Sequence, residues 1–228
     1  MQIIDQSVEV IYPRTVEDGI WEMKHIELAG RNCWRSESKQ TEESYGEFIA
    51  KLLKRRHGSP IEFGHIILKL VTSRDVMAEL TRHRIASFCI ESQRYVNEYT
   101  VNDPAEGAGG IRSIRPLFYI APGTVTPDDT EHTKLREASE CWYDMMDTCE
   151  RYYNHLINIG MKNQDARKVL PNSTATTIMM DVNLRELLHI YELRSSPAAY
   201  PEMRELMRLA KLEIDKVLPG FLPEKEDT

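Results

Sequence analysis

The sequence predicts an α+β fold in which helices outnumber strands. Six stretches read as helices and only three short ones as strands, and no complete G-x-G-x-x-G turn occurs, so a Rossmann sheet is not expected. The 228 residues are enough for one sizeable core, and neither an internal repeat nor a low-complexity linker divides them. A single domain over residues 1–228 is therefore expected.

Each element follows from local pattern. Residues 2–12 alternate roughly between apolar and polar and read as an opening strand. Residues 19–33 and 42–56 read as helices, the second with Phe48, Leu52 and Leu53 on one face. His57-Gly58-Ser59-Pro60 ends it. Residues 66–71, rich in aliphatic side chains, form a short strand. Thr72 is expected to cap the next helix, with Asp75 three residues on in capping-box position, and that helix runs towards Arg82.

Residues 103–110 are a loop by composition. From 130 to 160 the positions Leu135, Ala138, Trp142, Met145, Cys149, Tyr152, Leu156 and Ile159 alternate steps of three and four. That is a heptad seam on a helix roughly 45 Å long, which needs other long helices beside it in this subunit or a neighbour. Trp142 and Met145 are expected in the core. Residues 174–182 read as a strand, 183–194 as a helix, and 201–217 as a final helix with Pro201 in its first turn.

Composition narrows the function classes. With 41% hydrophobic and 29% charged residues the chain is neither disordered nor membrane-like. A formal net charge of -7 argues against a nucleic-acid binder, so any basic cluster is a local site. No apolar run approaches a membrane span, and the first residues lack the charged-then-apolar order of a signal peptide. Cys33, Cys89, Cys141 and Cys149 show no C-x-x-C pairing or zinc spacing, which fits a reduced, cytoplasmic setting and suggests no metal.

The segment most informative about chemistry is 82–95, which holds three arginines, one histidine and two serines inside an acidic protein. Arginines that close repel one another unless an anion sits among them. Guanidinium forks match phosphate oxygens and serine hydroxyls add donors, each charge-assisted bond contributing roughly 1.5–3 kcal/mol. The plainer alternative is that Arg82 and Arg84 offset the negative end of the preceding helix dipole. Ser87 or Ser92 as a nucleophile needs an oriented base. His83 is the local candidate, and two flanking arginines depress its basicity. Cys89 reads as a small packing residue.

Arg82-His83-Arg84, Ser87, Ser92 and Arg94-Tyr95, at these spacings, resemble the signature of flavin-dependent thymidylate synthases. Residues 29–36 resemble that family's early helix-to-loop segment, and His57-Gly58-Ser59-Pro60-Ile61-Glu62 its H-x-S/T-P-x-E stretch. Ala166-Arg167-Lys168-Val169-Leu170-Pro171 is similar to its A-R-x-V-L-P run, and residues 183–189 with Leu193-Arg194 to its C-terminal helix. The similarity spans nearly the whole chain in the family's order.

The resemblance implies a small, mostly antiparallel sheet with long helices, and a homotetramer with FAD bound across subunit interfaces. It implies Arg82, His83 and Arg84 as FAD ligands, joined by Ser59, Ile90, Asn183, Leu184, Arg185 and His189. It implies that Arg82, Glu91, Ser92, Gln93 and Arg94 bind the nucleotide, with Glu79, Arg167 and Arg194. Arg194 takes the family's activating role beside the uracil ring, and no protein nucleophile is needed. NADPH is the implied reductant and 5,10-methylenetetrahydrofolate the implied carbon donor, the cofactors carrying the hard steps.

Four positions depart from the family pattern: Glu79 and Tyr200, where glutamine is common, Ile90, where a polar residue is common, and Phe63, where histidine often follows the glutamate. Glu79 and Ile90 line the nucleotide or flavin in the implied site, which leaves dUMP and UMP both open. A non-catalytic flavin- or nucleotide-binding protein would lack Arg194, which is present. A nucleic-acid-binding module using the 82–94 cluster is opposed by the net charge.

Overall fold

Helix ends and strand alternation set the framework of the computed structural model, which describes residues 1–97, 110–124, 127 and 129–224. Strands β1 (Gln2–Ile4) and β2 (Ser7–Tyr12) precede helix α1 (Val16–Cys33). Helix α2 (Tyr45–Lys54) and a 3-10 turn at Ser59–Phe63 lead into β3 (His65–Ser73), helix α3 (Arg74–Leu80) and β4 (Ala86–Ile90). Strand β5 (Arg112–Ile114), the long helix α4 (Thr130–Asn158) and the short α5 (Asn163–Ala166) follow. The chain continues through β6 (Ala175–Asn183), α6 (Leu184–Arg194) and α7 (Pro201–Ile214). The fold is α+β and helix-rich, as expected, with no Rossmann sheet among the described residues.

The principal sheet has the order β2-β3-β6-β4, and β1 pairs in parallel with β5 in a second sheet. Paired side chains give the sense of the central strands. Lys69 meets Glu9 at 3.6 Å and Thr72 Oγ1 donates to Gln6 at 2.6 Å, so β3 runs antiparallel to β2. His65 approaches Asp181 at 3.4 Å while the Arg74 amide donates to the Asn172 carbonyl at 2.9 Å, so β6 runs antiparallel to β3. Strands β3 and β6 alternate inward and outward: Ile66, Leu68 and Leu70 are fully buried on one, Ile178, Met180 and Val182 on the other.

The chain clusters into two compact units, each discontinuous in sequence. The first comprises residues 1–6, 71–79 and 90–177, the second residues 7–70, 80–89 and 178–228. In the first, Tyr153 of α4 packs with Ile111 and Ala166, and Leu156, Val169 and Leu170 close over them. In the second, α1 begins in a complete capping box, Thr15 accepting from the Asp18 amide and Asp18 from the Thr15 amide.

Several local expectations change in three dimensions. The opening strand is two strands in different sheets, split at Asp5-Gln6. Thr72 caps nothing: it is a buried residue of β3, which runs on to Ser73, and the helix starts at Arg74. Strand β4 within the arginine-rich segment was not anticipated, and it leaves Cys89 exposed. The loop expected at 103–110 lies outside the described residues except for Gly110. On α4 the buried seam is Ser139, Trp142, Met146, Glu150 and Tyr153, largely one residue out of phase with the expected one. Met145, Tyr152 and Ile159 are exposed. Polar Ser139 and Glu150 are buried because they serve the backbone: Ser139 Oγ accepts from the Ile120 amide, and Glu150 from the Ile111 amide.

Candidate active site

In the second unit, β6 passes directly into α6, and the junction fixes where α6 points. Asn183 caps the helix, its side-chain oxygen accepting the Glu186 amide at 2.9 Å, and the Leu184 amide donates to the Gly64 carbonyl at 2.8 Å. A Cβ on Gly64 would lie 2.8 Å from Leu184 and Ile26 side-chain carbons, so glycine permits the approach. Leu184 is fully buried there and does not line the neighbouring cavity.

That cavity, about 500 Å³, is lined on one side by Asn183, Arg185, Glu186 and His189 of α6. The opposite lining comes from Arg56, His57 and Gly58, with exposed Ile85 beside it. Helix α2 ends in a Schellman arrangement that delivers these residues. The Arg56 amide donates to Leu53 and the His57 amide to Leu52, with Arg56 at a φ of 56°. Holding a non-glycine residue left-handed costs on the order of 1–2 kcal/mol, tolerated where the turn brings Arg56 and His57 to one space. A Cβ on Gly58 would fall 2.7 Å from Arg185 Nε. Glycine thus lets the guanidinium lie flat against the turn, where it donates to Glu62 at 2.5 Å.

Next to the cavity, His83 joins two ends of α6. Its Nδ1 lies 3.3 Å from Glu186 Oε1, and Arg194 Nε donates to its Nε2 at 3.0 Å. The His189 ring meets His83 edge-on at 5.8 Å. His83 and Glu186 are buried. Burial holds the His83 pKa below its ordinary value; the Glu186 bond opposes this, while the charges of Arg194 and His189 add to it. His83 is accordingly neutral near pH 7, donating from Nδ1 and accepting at Nε2. The ligand atoms of His83, Glu186 and His189 are close enough together to hold a metal. Both ring nitrogens of His83 are already committed, however, and a cation there would meet Arg194.

The other expected residues fall in separate places. Arg82 and Arg84 are exposed on the second unit, flanking buried His83. Ser59 opens onto a different cavity, of about 600 Å³, with Asn32, Pro60 and Phe63. Glu79, Ile90 and residues 91–94 belong to the first unit, as does Arg167. Ala166, Val169 and Leu170 pack inward there, so Arg167 and Lys168 face solvent. Gln93 is buried, and its Nε2 has no partner among the described residues. Arg94 stacks over Tyr95 at 5.4 Å.

Glu91 takes a part not expected of it. Arg112 donates to both carboxylate oxygens at 2.8 and 2.9 Å, and the Thr177 amide to one of them at 3.1 Å. Its carboxylate thus ties the start of the 91–94 segment to β5 and β6. Glu186, Arg56 and His57 were not singled out as ligands from sequence. Asn183 followed by Glu186 reads as a capping box, which hides the partner the glutamate finds.

The first cavity has the size of a ligand site, and Gly58 leaves a surface that any Cβ would obstruct; Arg56 supplies charge for a phosphate, whereas Arg185 is paired with Glu62, and Glu186 and Glu192 also line the space. The donor set fits part of a flavin dinucleotide.

Comparison with known proteins agrees. The family described as thymidylate synthase complementing protein matches residues 20–220. The chain is 34% identical over 171 residues to the flavin-dependent thymidylate synthase of Halobacterium salinarum, covering 73% of this chain and 69% of that one. The protein of the same name from Geobacter sulfurreducens is 32% identical over 197 residues, covering 82% and 76%. The fold matches the crystal structure of the UMP/dUMP methylase PolB from Streptomyces cacaoi bound with 5-Br dUMP. The TM-score is 0.72 at 21% identity, over 97% of this chain and 95% of that one. With the motif order, the cavity and these relatives in agreement, the chain belongs to the flavin-dependent thymidylate synthase family.

Proposed function

We propose that this protein methylates C5 of dUMP to give dTMP, with FAD as the flavin, NADPH as its reductant and methylenetetrahydrofolate as the carbon donor. The observation that carries the reading is the meeting of Arg194 with His83 of the Arg82-His83-Arg84 motif, beside a cavity edged by Arg185. Bound reduced flavin supplies the two electrons that take the transferred carbon from the methylene to the methyl level. The chain's own groups do the rest. Arg194 stabilises negative charge that develops on the pyrimidine ring. Ser92, Arg94, Arg82 and Arg167 hold the nucleotide, and Arg185, His57 and Asn183 hold the flavin. Ser92 Oγ accepts the Arg94 amide at 3.3 Å, and no histidine or carboxylate bonds to it among the described residues, so it binds and does not attack.

The relatives named above carry the thymidylate synthase name, which favours dUMP over UMP. Met145, Tyr152 and Ile159, spaced by heptads on α4 and exposed, support a homotetramer in which these stripes are covered. No described helix is long and apolar enough to cross a membrane. With four free thiols, this supports a reducing cytoplasmic setting. The family match over residues 20–220 supports a single catalytic domain. The test is turnover with dUMP and UMP side by side, with FAD, NADPH and folate present. Methylation of dUMP at least tenfold faster than UMP is expected; preference for UMP, or a folded protein that retains no flavin, refutes the reading.

A further inference from the structure

We infer that Glu186 is a positioning residue that acts through His83 to hold the Arg194 guanidinium in place for its work on the substrate. The inference rests on Arg194 being the charge-stabilising group. Glu186 and Arg194 lie eight residues apart on α6, about 12 Å along its axis, too far for the carboxylate to hold the guanidinium directly. His83, from the turn after α3, spans the interval with both ring nitrogens.

The arrangement has a definite polarity. A carboxylate only accepts, so Glu186 accepts from the N–H at Nδ1 and leaves the Nε2 lone pair in the ring plane. Arg194 only donates, and it donates into that lone pair. Reversing the histidine tautomer would turn an N–H towards the guanidinium and a lone pair towards the carboxylate, losing both bonds at once. Protonating His83 would likewise replace the acceptor with a second cation. The relay is therefore intact only with neutral His83.

Asn183 caps the helix by accepting the Glu186 amide, while the Glu186 carboxylate is turned to His83. Among the described residues, the charged or titratable groups recorded against His83 are Glu186, His189 and Arg194, all from α6. Of these only Glu186 favours the protonated ring; the other two and burial oppose it.

The test compares Glu186→Ala and Glu186→Gln in the flavin-loaded enzyme. In Glu186→Ala only the Arg194 bond still favours the Nδ1–H tautomer and the ring loses its anchor at Nδ1: kcat is expected to fall by roughly 10- to 100-fold, with the nucleotide KM changed by less than about threefold. In Glu186→Gln the amide oxygen still accepts from Nδ1, so kcat near pH 8 stays within about threefold of wild type. Its acid limb moves to lower pH, because the charge that favoured protonated His83 is gone. Nitrogen-15 spectra of the histidines supply a readout independent of turnover: a fixed Nδ1–H tautomer for His83 in wild type and Glu186→Gln, and a measurable share of the other tautomer in Glu186→Ala, where only Arg194 still opposes it. Wild-type kcat and an unchanged His83 tautomer in Glu186→Ala, while Arg194→Ala is inactive, overturn the relay and leave the role of Arg194 standing. Near-wild-type kcat in folded, flavin-loaded Arg194→Ala sinks the underlying assignment and the relay with it. Should Glu186→Ala fail to fold, the acid limb of Glu186→Gln decides: displaced to lower pH it supports the relay, unmoved it overturns it.

Discussion

Glu91→Ala removes three hydrogen bonds at one stroke: two from Arg112 and one from the Thr177 amide. The Arg112 and Glu91 side chains are only 19% and 13% exposed, so neither the stranded guanidinium nor the strand amide is well served by water. Breaking a buried pair by deleting one partner costs about 3–5 kcal/mol. Partial exposure lowers this to about 2–4 kcal/mol. At about 2–4 °C per kcal/mol for a chain of this size, the Tm should fall by about 4–16 °C. Glu91→Gln keeps an acceptor for one of the two partners and should lose about half as much. The assay is thermal unfolding followed by circular dichroism, with FAD concentration held constant because ligand binding itself shifts Tm. Ser92, Gln93 and Arg94 follow directly on the anchored residue, so the nucleotide KM of Glu91→Ala should also rise, by about tenfold, with kcat less affected. A Tm within about 2 °C of wild type would refute the reasoning, since it would mean that the clamp carries no net stability.

Arg194→Ala should keep its fold and flavin but lose about 10²–10³ in kcat, the usual cost of one preorganised charge at a reacting centre; near-wild-type turnover would remove Arg194 from the chemistry. Arg194→Lys should not rescue it, because an ammonium lacks the fork that serves His83 and a substrate together. Ser92→Ala is expected to raise the nucleotide KM about tenfold with kcat still measurable, and a covalent nucleotide adduct on wild-type Ser92 would contradict this. Gly58→Ala brings a Cβ to within 2.7 Å of Arg185 Nε. Arg185 is exposed enough to swing away without unfolding, so flavin Kd should rise about 10- to 100-fold while the Tm of the flavin-free protein stays nearly constant; unchanged flavin affinity would dissociate Arg185 from the flavin.

Much of the framework is legible locally. Helix α6 was expected over 183–194 and runs over Leu184–Arg194 behind its Asn183 cap. Helix α4 was expected over 130–160 and spans Thr130–Asn158, ended by a turn into Gly160 at a φ of 91°. Strands β3 and β6 came within a few residues of their expected limits. Caps, breakers and periodicity are interactions among near neighbours, so a short window contains their cause.

By itself the sequence determined the helical periods, the absence of a dinucleotide turn, and the order of motifs that identifies the family. Tertiary structure decided which side of each element is used. Helix α4 offers an apolar stripe and, one residue on, a mixed one holding Ser139 and Glu150; the packing of Ile111 and Ala166 on Tyr153 and the amides of Ile120 and Ile111 bury the mixed one. Glu91 looks like a ligand in its motif and becomes a clamp because β5 brings Arg112 to it. Glu186 is one more charged residue of an expected helix and becomes the partner of His83, a residue 103 positions away in the chain. Periodicity and capping act over a turn or two of backbone, whereas a buried charge takes whichever partner the fold places within about 3 Å, and sequence separation plays no part in that choice.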